Sequence, residues 1–278
     1  MATVGVYSDC LKRLFKESTC NAPSNAYRGS ASWSIVKRSN RNIAEQPPLN
    51  SATMGDIVAS YRFLHASDIH LDSPLRGLSR YEGVPAEEVR IATRTALDNL
   101  INAAIEEEVA FVVIAGDLYD GDWPHFGTGL FFCAAMGRLE KAGIAVYLLF
   151  GNHDAESVLT KKLPLPPNVH AFGARKAMTF IDEPTGAVLH GWSYREKDTG
   201  DNLAAAYPAP VPNRLNIGVL HTALTGRPPH ASYAPCTSQE LAARGYDYWA
   251  LGSRARFRNR LHDSPDRVSG QPAGPQYP

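Results

Sequence analysis

The chain has 278 residues, of which 44% are hydrophobic and 20% are charged, so it contains enough apolar material for one large core. Its 28 Lys and Arg residues balance 28 Asp and Glu residues, and this neutral composition gives no sign of a basic nucleic-acid-binding surface. No stretch is apolar enough for a signal peptide or a membrane span, and none of the four cysteines has C-x-x-C spacing, so we expect a cytoplasmic protein with reduced thiols and no membrane contact.

The predicted elements begin only after a long polar segment. Residues 1–57 show no sustained helical or strand period and are expected to be a disordered extension. From Tyr61 the segment YRFLHAS is typical of a short strand, residues 87–108 carry apolar side chains at helical spacing, and AFVVIAG predicts a buried strand. A second helix is predicted in residues 129–143, ending on Gly143, and IAVYLLFG predicts the next buried strand.

The chain up to Gly252 continues with strand patterns separated by turns and short helical pieces. AMTFID, AVLHGWS, LNIGVLH and DYWALG favour strands, and SQELAARG favours a short helix. This alternation predicts an α/β fold in which helices cover the sheet. After Gly252 the pattern ends, because residues 253–278 are rich in Arg, Pro and Gly and fit neither a strand nor a helix.

Polar side chains follow three of the predicted buried strands, and a fourth strand pattern, LNIGVL, ends on a histidine. The residues concerned are Asp68 and His70 after the first strand, Asp117 and Asp120 after the second, Asn152, His153 and Asp154 after the third, and His221 after the fourth. Because the carboxyl ends of strands in an open α/β sheet form a ligand crevice, these side chains are expected to converge. Each fragment alone is common in turns, but together they indicate a metal site.

This set of side chains predicts two divalent metal ions about 4 Å apart, bridged by one carboxylate. Asp117 is the predicted bridge. Asp68 and His70 are the predicted ligands of one ion, and Asn152 and His221 are those of the other. Oxygen and imidazole ligands suit Mn, Fe, Zn or Mg, and such a pair of ions can clamp a phosphate and activate a water for in-line attack.

Two further residues are predicted to be catalytic. His153 is expected beside the phosphate, where it stabilises the transition state or protonates the leaving oxygen. Asp154 is expected to orient His153. Other polar residues near the motifs have different favoured roles. His65 is expected to pack within its strand, and His190 to lie in the core or at its rim. Asp120 is expected to brace its loop, and Asp72 fits packing and function equally.

The order of these motifs along the chain resembles that of the calcineurin-like metallophosphoesterase superfamily. The motifs of that superfamily are, in order, Asp-x-His, Gly-Asp-x-x-Asp, Gly-Asn-His followed by Asp or Glu, a strand-end His, and Gly-His-x-His. The opening FLHASDIHLDSPL resembles the DNA-repair exonuclease branch and is similar to its SbcD-type nuclease subunit. The resemblance implies packed mixed β-sheets flanked by helices, and a usually Mn-dependent two-metal nuclease that acts on DNA with an SMC-like ATPase partner. It matches these residues to the family's site: Asp68, His70, Asp117, Asn152, His153 and His221.

The fifth motif of that pattern is missing. Where Gly-His-x-His is expected, the chain reads Gly252-Ser253-Arg254-Ala255. Without the histidine pair each ion keeps three of its expected protein ligands, so weaker metal binding and impaired activity are expected. We therefore expect a metallophosphoesterase domain in residues 58–252, truncated at its C-terminus, and an aberrant tail in residues 253–278 that is frameshifted or disordered.

Three functions fit these observations. The leading hypothesis is a metal-dependent phosphodiester hydrolase of the DNA exonuclease type. A phosphatase or nucleotide phosphodiesterase fits the same motifs, because the ligand residues do not select the substrate. A catalytically inactive remnant fits the missing histidine pair.

The tail predicts a one-base frameshift near Ser253. When its back-translation is read one base later, allowed codons give GHVHAFEIV and then VFPGNLQGR, which resembles the continuation of the family sequence. We expect a single-base change at this point of the coding sequence to open a frame that encodes Gly-His-x-His. Nucleotide sequencing checks this, and the hypothesis is excluded if no single-base change opens such a frame.

Overall fold

The computed structural model describes residues 32–39, 60–73, 86–121, 126–155, 163–197, 199–223 and 234–252. In this part of the chain the strands are β1 Ser32–Ser39, β2 Ser60–Ser67, β3 Phe111–Ala115, β4 Ala145–Leu149, β5 Val169–Ala171, β6 Met178–Asp182, β7 Ala187–Gly191, β8 Asn216–His221 and β9 Tyr248–Gly252. The α-helices are α1 Ala86–Glu106, α2 Phe126–Lys141, α3 Asn152–Ala155 and α4 Ser238–Ala243, and a 3-10 turn spans Leu203–Ala206.

The strands form two sheets that pack face to face. The first sheet has the order β1-β2-β3-β4-β5, in which β2 to β5 are parallel and β1 is antiparallel to β2. The second has the order β6-β7-β8-β9, in which β6 is antiparallel to β7 and the other pairs are parallel. Helices α1 and α2 pack on the outer face of the first sheet. The predicted α/β fold with packed mixed sheets flanked by helices is confirmed.

Strand β3 lies at the centre of this arrangement and is buried at every position. Val112 and Ile114 pack against α1 and α2, whereas Phe111, Val113 and Ala115 pack against the second sheet. Successive side chains of a strand point to opposite faces. A strand between a helical layer and a second sheet is therefore apolar throughout, which explains the continuous apolar run AFVVIAG.

The two long helices lie where they were predicted, but each begins at an earlier residue than the sequence pattern indicated. In α1 the buried face includes Leu97, Leu100 and Ile101, at the spacing that brings side chains onto one side of a helix. Helix α2 begins before residue 129 and is followed by Gly143 at φ +71°, a left-handed conformation that ends a helix without Cβ strain. Among the described helices none is both long and apolar enough to cross a membrane.

Strand β1 contradicts part of the predicted disordered extension, residues 1–57. It pairs antiparallel with β2 over eight residues, with Ile35 opposite Leu64. Val36 is buried against the second sheet and Trp33 packs on the helical side. The sequence pattern is too short to stand out in a polar segment, and the strand is stabilised by non-local pairing along the edge of β2. The rest of the extension lies outside the described residues.

His65 on β2 connects the two sheets, in the packing role that the sequence favoured. Its Nδ1 lies 3.1 Å from the hydroxyl oxygen of Tyr248 on β9, and the two rings pack edge to face. Burial lowers the pKa of His65 to about 4, which outweighs the raising effect of a hydrogen bond with the Leu251 backbone. The folded protein therefore holds this ring in its neutral form.

We expect His65 to reduce the free energy of unfolding at acidic pH. The folded-state pKa lies below the unfolded value, so the unfolded chain takes up the proton first, and stability is lost as pH falls from about 6.5 towards about 4. The loss attributable to His65 is about 2 kcal/mol at about pH 5. Urea unfolding at about pH 7.5 and about pH 5 measures it, and His65→Gln should lose about 2 kcal/mol less than the wild type between these conditions. Equal losses in both proteins would contradict this role.

Candidate metal centre

The centre lies where strands of both sheets end. Strands β2 and β3 lead into Asp68 and Asp117, β4 leads into Asn152, and β8 of the second sheet ends on His221. The loops after β2 and β3 continue the strand pairing, because the amide of His70 donates to the carbonyl of Asp117 at 3.1 Å. Motifs that are far apart in the sequence are thus brought to one edge of the sandwich.

Among the described residues, six acidic and histidine side chains form two groups in which the possible ligand atoms lie within 4.8 Å of one another. One group is buried and the other is partly exposed: Asp68, Asp117 and His221, and His70, Asp120 and His153. Asp68 and His70, the predicted ligands of one ion, fall in different groups, but His70 Nε2 also lies 3.8 Å from Asp117 Oδ2 of the buried group. The His70 ring packs edge to face against the His153 ring of the exposed group, with centroids 5.1 Å apart.

The Asp117 carboxylate lies between the two groups. Its Oδ2 is 3.2 Å from His221 Nε2 and 3.8 Å from His70 Nε2, and its Oδ1 accepts a hydrogen bond from the His153 amide at 3.2 Å. Burial alone would raise the pKa of Asp117, but the hydrogen bond with His221 and the neighbouring imidazoles lower it overall. The predicted bridging residue is therefore an anion that faces two imidazoles, one at the end of β8 and one in the loop after β2.

The orientation of His221 is set by its backbone surroundings. A carbonyl oxygen can only accept, so the 3.0 Å contact between His221 Nδ1 and the Ala115 carbonyl identifies Nδ1 as the donor. Nε2 is then the atom that faces Asp117. Burial alone would lower the pKa of His221, but its hydrogen bond with Asp117 raises it overall. Tyr194, which no sequence motif identified, donates its hydroxyl to the His221 carbonyl at 2.9 Å.

His153 and Asp120 form a hydrogen-bonded pair in the exposed group. His153 Nδ1 lies 2.6 Å from Asp120 Oδ1, and this hydrogen bond is the main reason why the pKa of His153 is raised. The same contact lowers the pKa of Asp120. Asp120, which the sequence analysis assigned to loop bracing, therefore contacts the predicted catalytic ring.

Asp154 has the role that was expected of Asp120. Its carboxylate accepts hydrogen bonds from the backbone amides of Leu118 at 3.2 Å, Tyr119 at 2.7 Å and Gly151 at 2.8 Å. Burial raises the pKa of Asp154 to about 7, with a further contribution from the charge of Asp117. Consecutive helical residues point in directions about 100° apart, so in α3 the Asp154 side chain turns inward and holds two loops together, while Asp120 holds the His153 ring.

The backbone of the ligand loops is strained. Asp68, His70 and Asp117 adopt φ values of +54°, +46° and +52°, in the left-handed region that side chains with a Cβ rarely occupy. Such conformations cost on the order of 1–3 kcal/mol each and persist where the surrounding structure imposes them. Here the imposing contacts are the backbone hydrogen bonds between the two loops.

The side chains present fit divalent metal ions. The buried group places the carboxylates of Asp68 and Asp117 within 4.8 Å of each other, and buried like charges are costly unless a cation compensates them. Burial lowers the pKa of His70, whereas the hydrogen bond with Asp117 raises that of His221, and a bound metal would require both imidazoles in the neutral form. The set of carboxylate and imidazole donors suits hard or borderline divalent ions.

Of the other predicted residues, Asn152 is buried at the first position of α3, beside Gly151. His190 lies in the core, where its ring nitrogens contact the Thr179 hydroxyl at 2.9 Å and Asn216 Oδ1 at 3.2 Å. Strand β9 ends on Gly252, which pairs in register with His221. The structure does not describe the predicted tail, residues 253–278, which includes Ser253 and Ala255.

Comparisons with known proteins agree with the motifs. The family model described as calcineurin-like phosphoesterase matches residues 61–252. The chain is 36% identical over 193 residues to YhaO of Bacillus subtilis (strain 168), an uncharacterized metallophosphoesterase, in a match that covers 68% of this chain and 47% of YhaO. It is 24% identical over 232 residues to the DNA double-strand break repair protein Mre11 of Methanopyrus kandleri, covering 76% of this chain and 48% of that protein. The chain spans about half the length of the curated relatives it matches.

We expect Gly151→Ala to disrupt the centre. A Cβ at this position would overlap the Asp117 carboxylate and lie 2.6 Å from the Asp117 amide nitrogen, so Asp117 would have to leave its contacts with the two histidines. Mn²⁺ affinity measured by calorimetry should fall at least about tenfold, and the free energy of unfolding should fall by about 1–3 kcal/mol.

Gly137→Ala is the matched control. Gly137 lies inside α2, and a Cβ there meets nothing within 4 Å. This variant should keep its metal affinity and gain about 0.5–1 kcal/mol, because alanine loses less conformational entropy than glycine in a helix. Unchanged affinity and stability in Gly151→Ala would show that the close approach to Asp117 is unimportant.

Proposed function

Because the chain belongs to the calcineurin-like phosphoesterase family, we propose that it is a metal-dependent phosphodiester hydrolase of the DNA exonuclease type. The position of the Asp117 carboxylate, 3.2 Å from His221 Nε2 and 3.8 Å from His70 Nε2, is the observation that carries the proposal. A carboxylate between an imidazole in the loop after β2 and one at the end of β8 would be suited to bridge two cations.

The proposed ligands divide around this carboxylate. Asp68, His70 and Asp117 would hold one ion, and Asp117, Asn152 and His221 would hold the other. Mn is the proposed metal, and Fe, Zn or Mg also suit the oxygen and imidazole donors. When bound, such ions polarise the phosphorus and lower the pKa of the attacking water.

The proposed catalytic residue is His153. Its Nδ1 is engaged by Asp120, so Nε2 is the ring atom that would meet the leaving oxygen. The hydrogen bond with Asp120 raises the pKa of His153, which suits a general acid that protonates the leaving group. Asp154 contributes by holding the loops after β3 and β4 together through three backbone amides.

DNA is the proposed substrate, an SMC-like ATPase the proposed partner, and the cytoplasm the proposed location. The similarity to Mre11, whose name describes a DNA double-strand break repair protein, supports the choice of DNA. The ATPase partner rests on the resemblance of the FLHASDIHLDSPL segment to the exonuclease branch. We further propose that activity is impaired, because Ser253 and Ala255 stand where the histidine pair is expected.

We expect the purified chain with Mn²⁺ to release nucleotides slowly from linear DNA, and Asp117→Asn to reduce the rate at least about 100-fold. The asparagine lacks the negative charge that a bridging position needs. The substitution should therefore weaken both metal binding and the activation of the attacking water. Acid-soluble nucleotide release and a metal count on the same samples measure the two effects. Asp98→Asn, which removes an exposed ion-pair carboxylate on α1, should match the wild type in both.

The other outcomes separate the alternatives. Hydrolysis of bis-p-nitrophenyl phosphate or mononucleotides without nucleotide release from DNA would support a phosphatase or nucleotide phosphodiesterase and contradict the DNA proposal. Absence of turnover on every substrate would support the inactive remnant that the missing histidine pair suggests. Equal activity in the wild type and Asp117→Asn would contradict the bridging role.

A further inference from the structure

Two buried residues, Asp72 and Ser73, directly follow the first ligand loop and belong to neither group of possible metal ligands. Asp72 is held by both long helices. Its carboxylate accepts from Arg94 Nε at 2.8 Å and Nη2 at 2.6 Å in α1, and from the Thr128 hydroxyl at 2.7 Å in α2. Paired hydrogen bonds between a guanidinium and a carboxylate fix geometry as well as distance. The loop after β2 is therefore anchored to the helical layer.

Ser73 contacts the metal centre from this anchored position. Its hydroxyl donates to Asp120 Oδ2 at 2.6 Å, while the other oxygen of the same carboxylate lies 2.6 Å from His153 Nδ1. Each oxygen of Asp120 thus has a different partner. Rotation of a carboxylate about its terminal bond is otherwise weakly restricted, so the serine hydroxyl limits the angle at which Asp120 meets the ring.

Asp120 needs such support because of where it lies. It belongs to the loop between β3 and α2, and its side chain is 29% exposed. Neither strand pairing nor core packing holds a side chain in this position. The hydrogen bond from Ser73 is also one of the causes of the lowered pKa of Asp120, after the contact with His153.

We propose that Ser73 is a positioning residue which, through Asp120, holds the His153 ring with Nδ1 towards Asp120 and Nε2 towards the leaving oxygen. The catalytic meaning of this role rests on the proposed phosphoester hydrolysis. The connection itself, from α1 and α2 through Asp72 and Ser73 to Asp120 and His153, is a property of the metal-free protein. Through this connection, helices α1 and α2 help to hold the His153 ring in place.

The test follows the His153 ring by long-range ¹H–¹⁵N NMR in the metal-free protein. In the wild type we expect a downfield Nδ1–H proton that exchanges slowly with water, assigned by its loss in His153→Gln. In Ser73→Ala this proton should exchange at least about tenfold faster, because a hydrogen bond to a charged carboxylate is removed. Ser73→Cys keeps the side-chain volume with a weaker donor and should lie between the two, so it carries the test if the alanine variant does not fold.

Thr185→Ala is the matched control, since Thr185 also donates its hydroxyl to a carboxylate, that of Asp182, in the β6–β7 turn. It should leave the His153 proton unchanged. The proposal would be overturned if the Nδ1–H proton exchanged as slowly in Ser73→Ala and Ser73→Cys as in the wild type. It would also be overturned if the wild type showed no protected Nδ1–H proton, or if Thr185→Ala accelerated the exchange as much as Ser73→Ala.

An activity measurement separates this inference from the proposed function. With Mn²⁺ present, Ser73→Ala should lower kcat more for a phenyl than for a p-nitrophenyl leaving group, with KM unchanged, because a poor leaving group depends more on protonation. If the wild type hydrolyses no phosphoester while Ser73→Ala still loosens the ring, the proposed function fails and the positioning role stands. Equal loss of kcat for both leaving groups would contradict a role in orienting the proton donor.

Discussion

The Asp117 carboxylate is the contact on which the rest of the centre depends. Its two oxygens meet His221 of the second sheet, His70 of the loop after β2 and the amide of His153 in α3. The Asp117 carbonyl also accepts the His70 amide. Asp117, in the loop directly after β3, therefore connects elements from both sheets, and its displacement would break the contacts with His221, His70 and the His153 amide.

The fold opposes such a displacement from several directions. Strand β3 is buried on both faces, so the residue that follows it starts from a rigid position. The absence of a Cβ at Gly151 lets Asp117 lie against the backbone after β4, and Asp154 ties the loops after β3 and β4 together through three amides. These contacts offset the cost of left-handed backbone at the ligand residues. The centre is thus strained locally and held by the packing around it.

The two groups of side chains differ in their surroundings in a way that suits different tasks. Asp68, Asp117 and His221 are buried, where charges interact strongly and favour a bound cation. His153 and Asp120 are partly exposed, where a substrate can reach them. The anchoring of the nearby loop to α1 and α2 extends the support of the exposed pair to the two helices.

The sequence by itself determined the fold class and the types and order of the candidate site residues, because strand and helix periodicity is local and the polar residues at strand ends follow from it. Tertiary structure decided the rest. Strand β1 forms through pairing with the edge of β2, which no local pattern reveals. Asp120 contacts the His153 ring whereas Asp154 accepts from backbone amides, and these partners depend on which of the two side chains faces the core. The supports that Tyr194 and Ser73 provide likewise join residues distant in sequence, and such contacts exist only once the chain has folded.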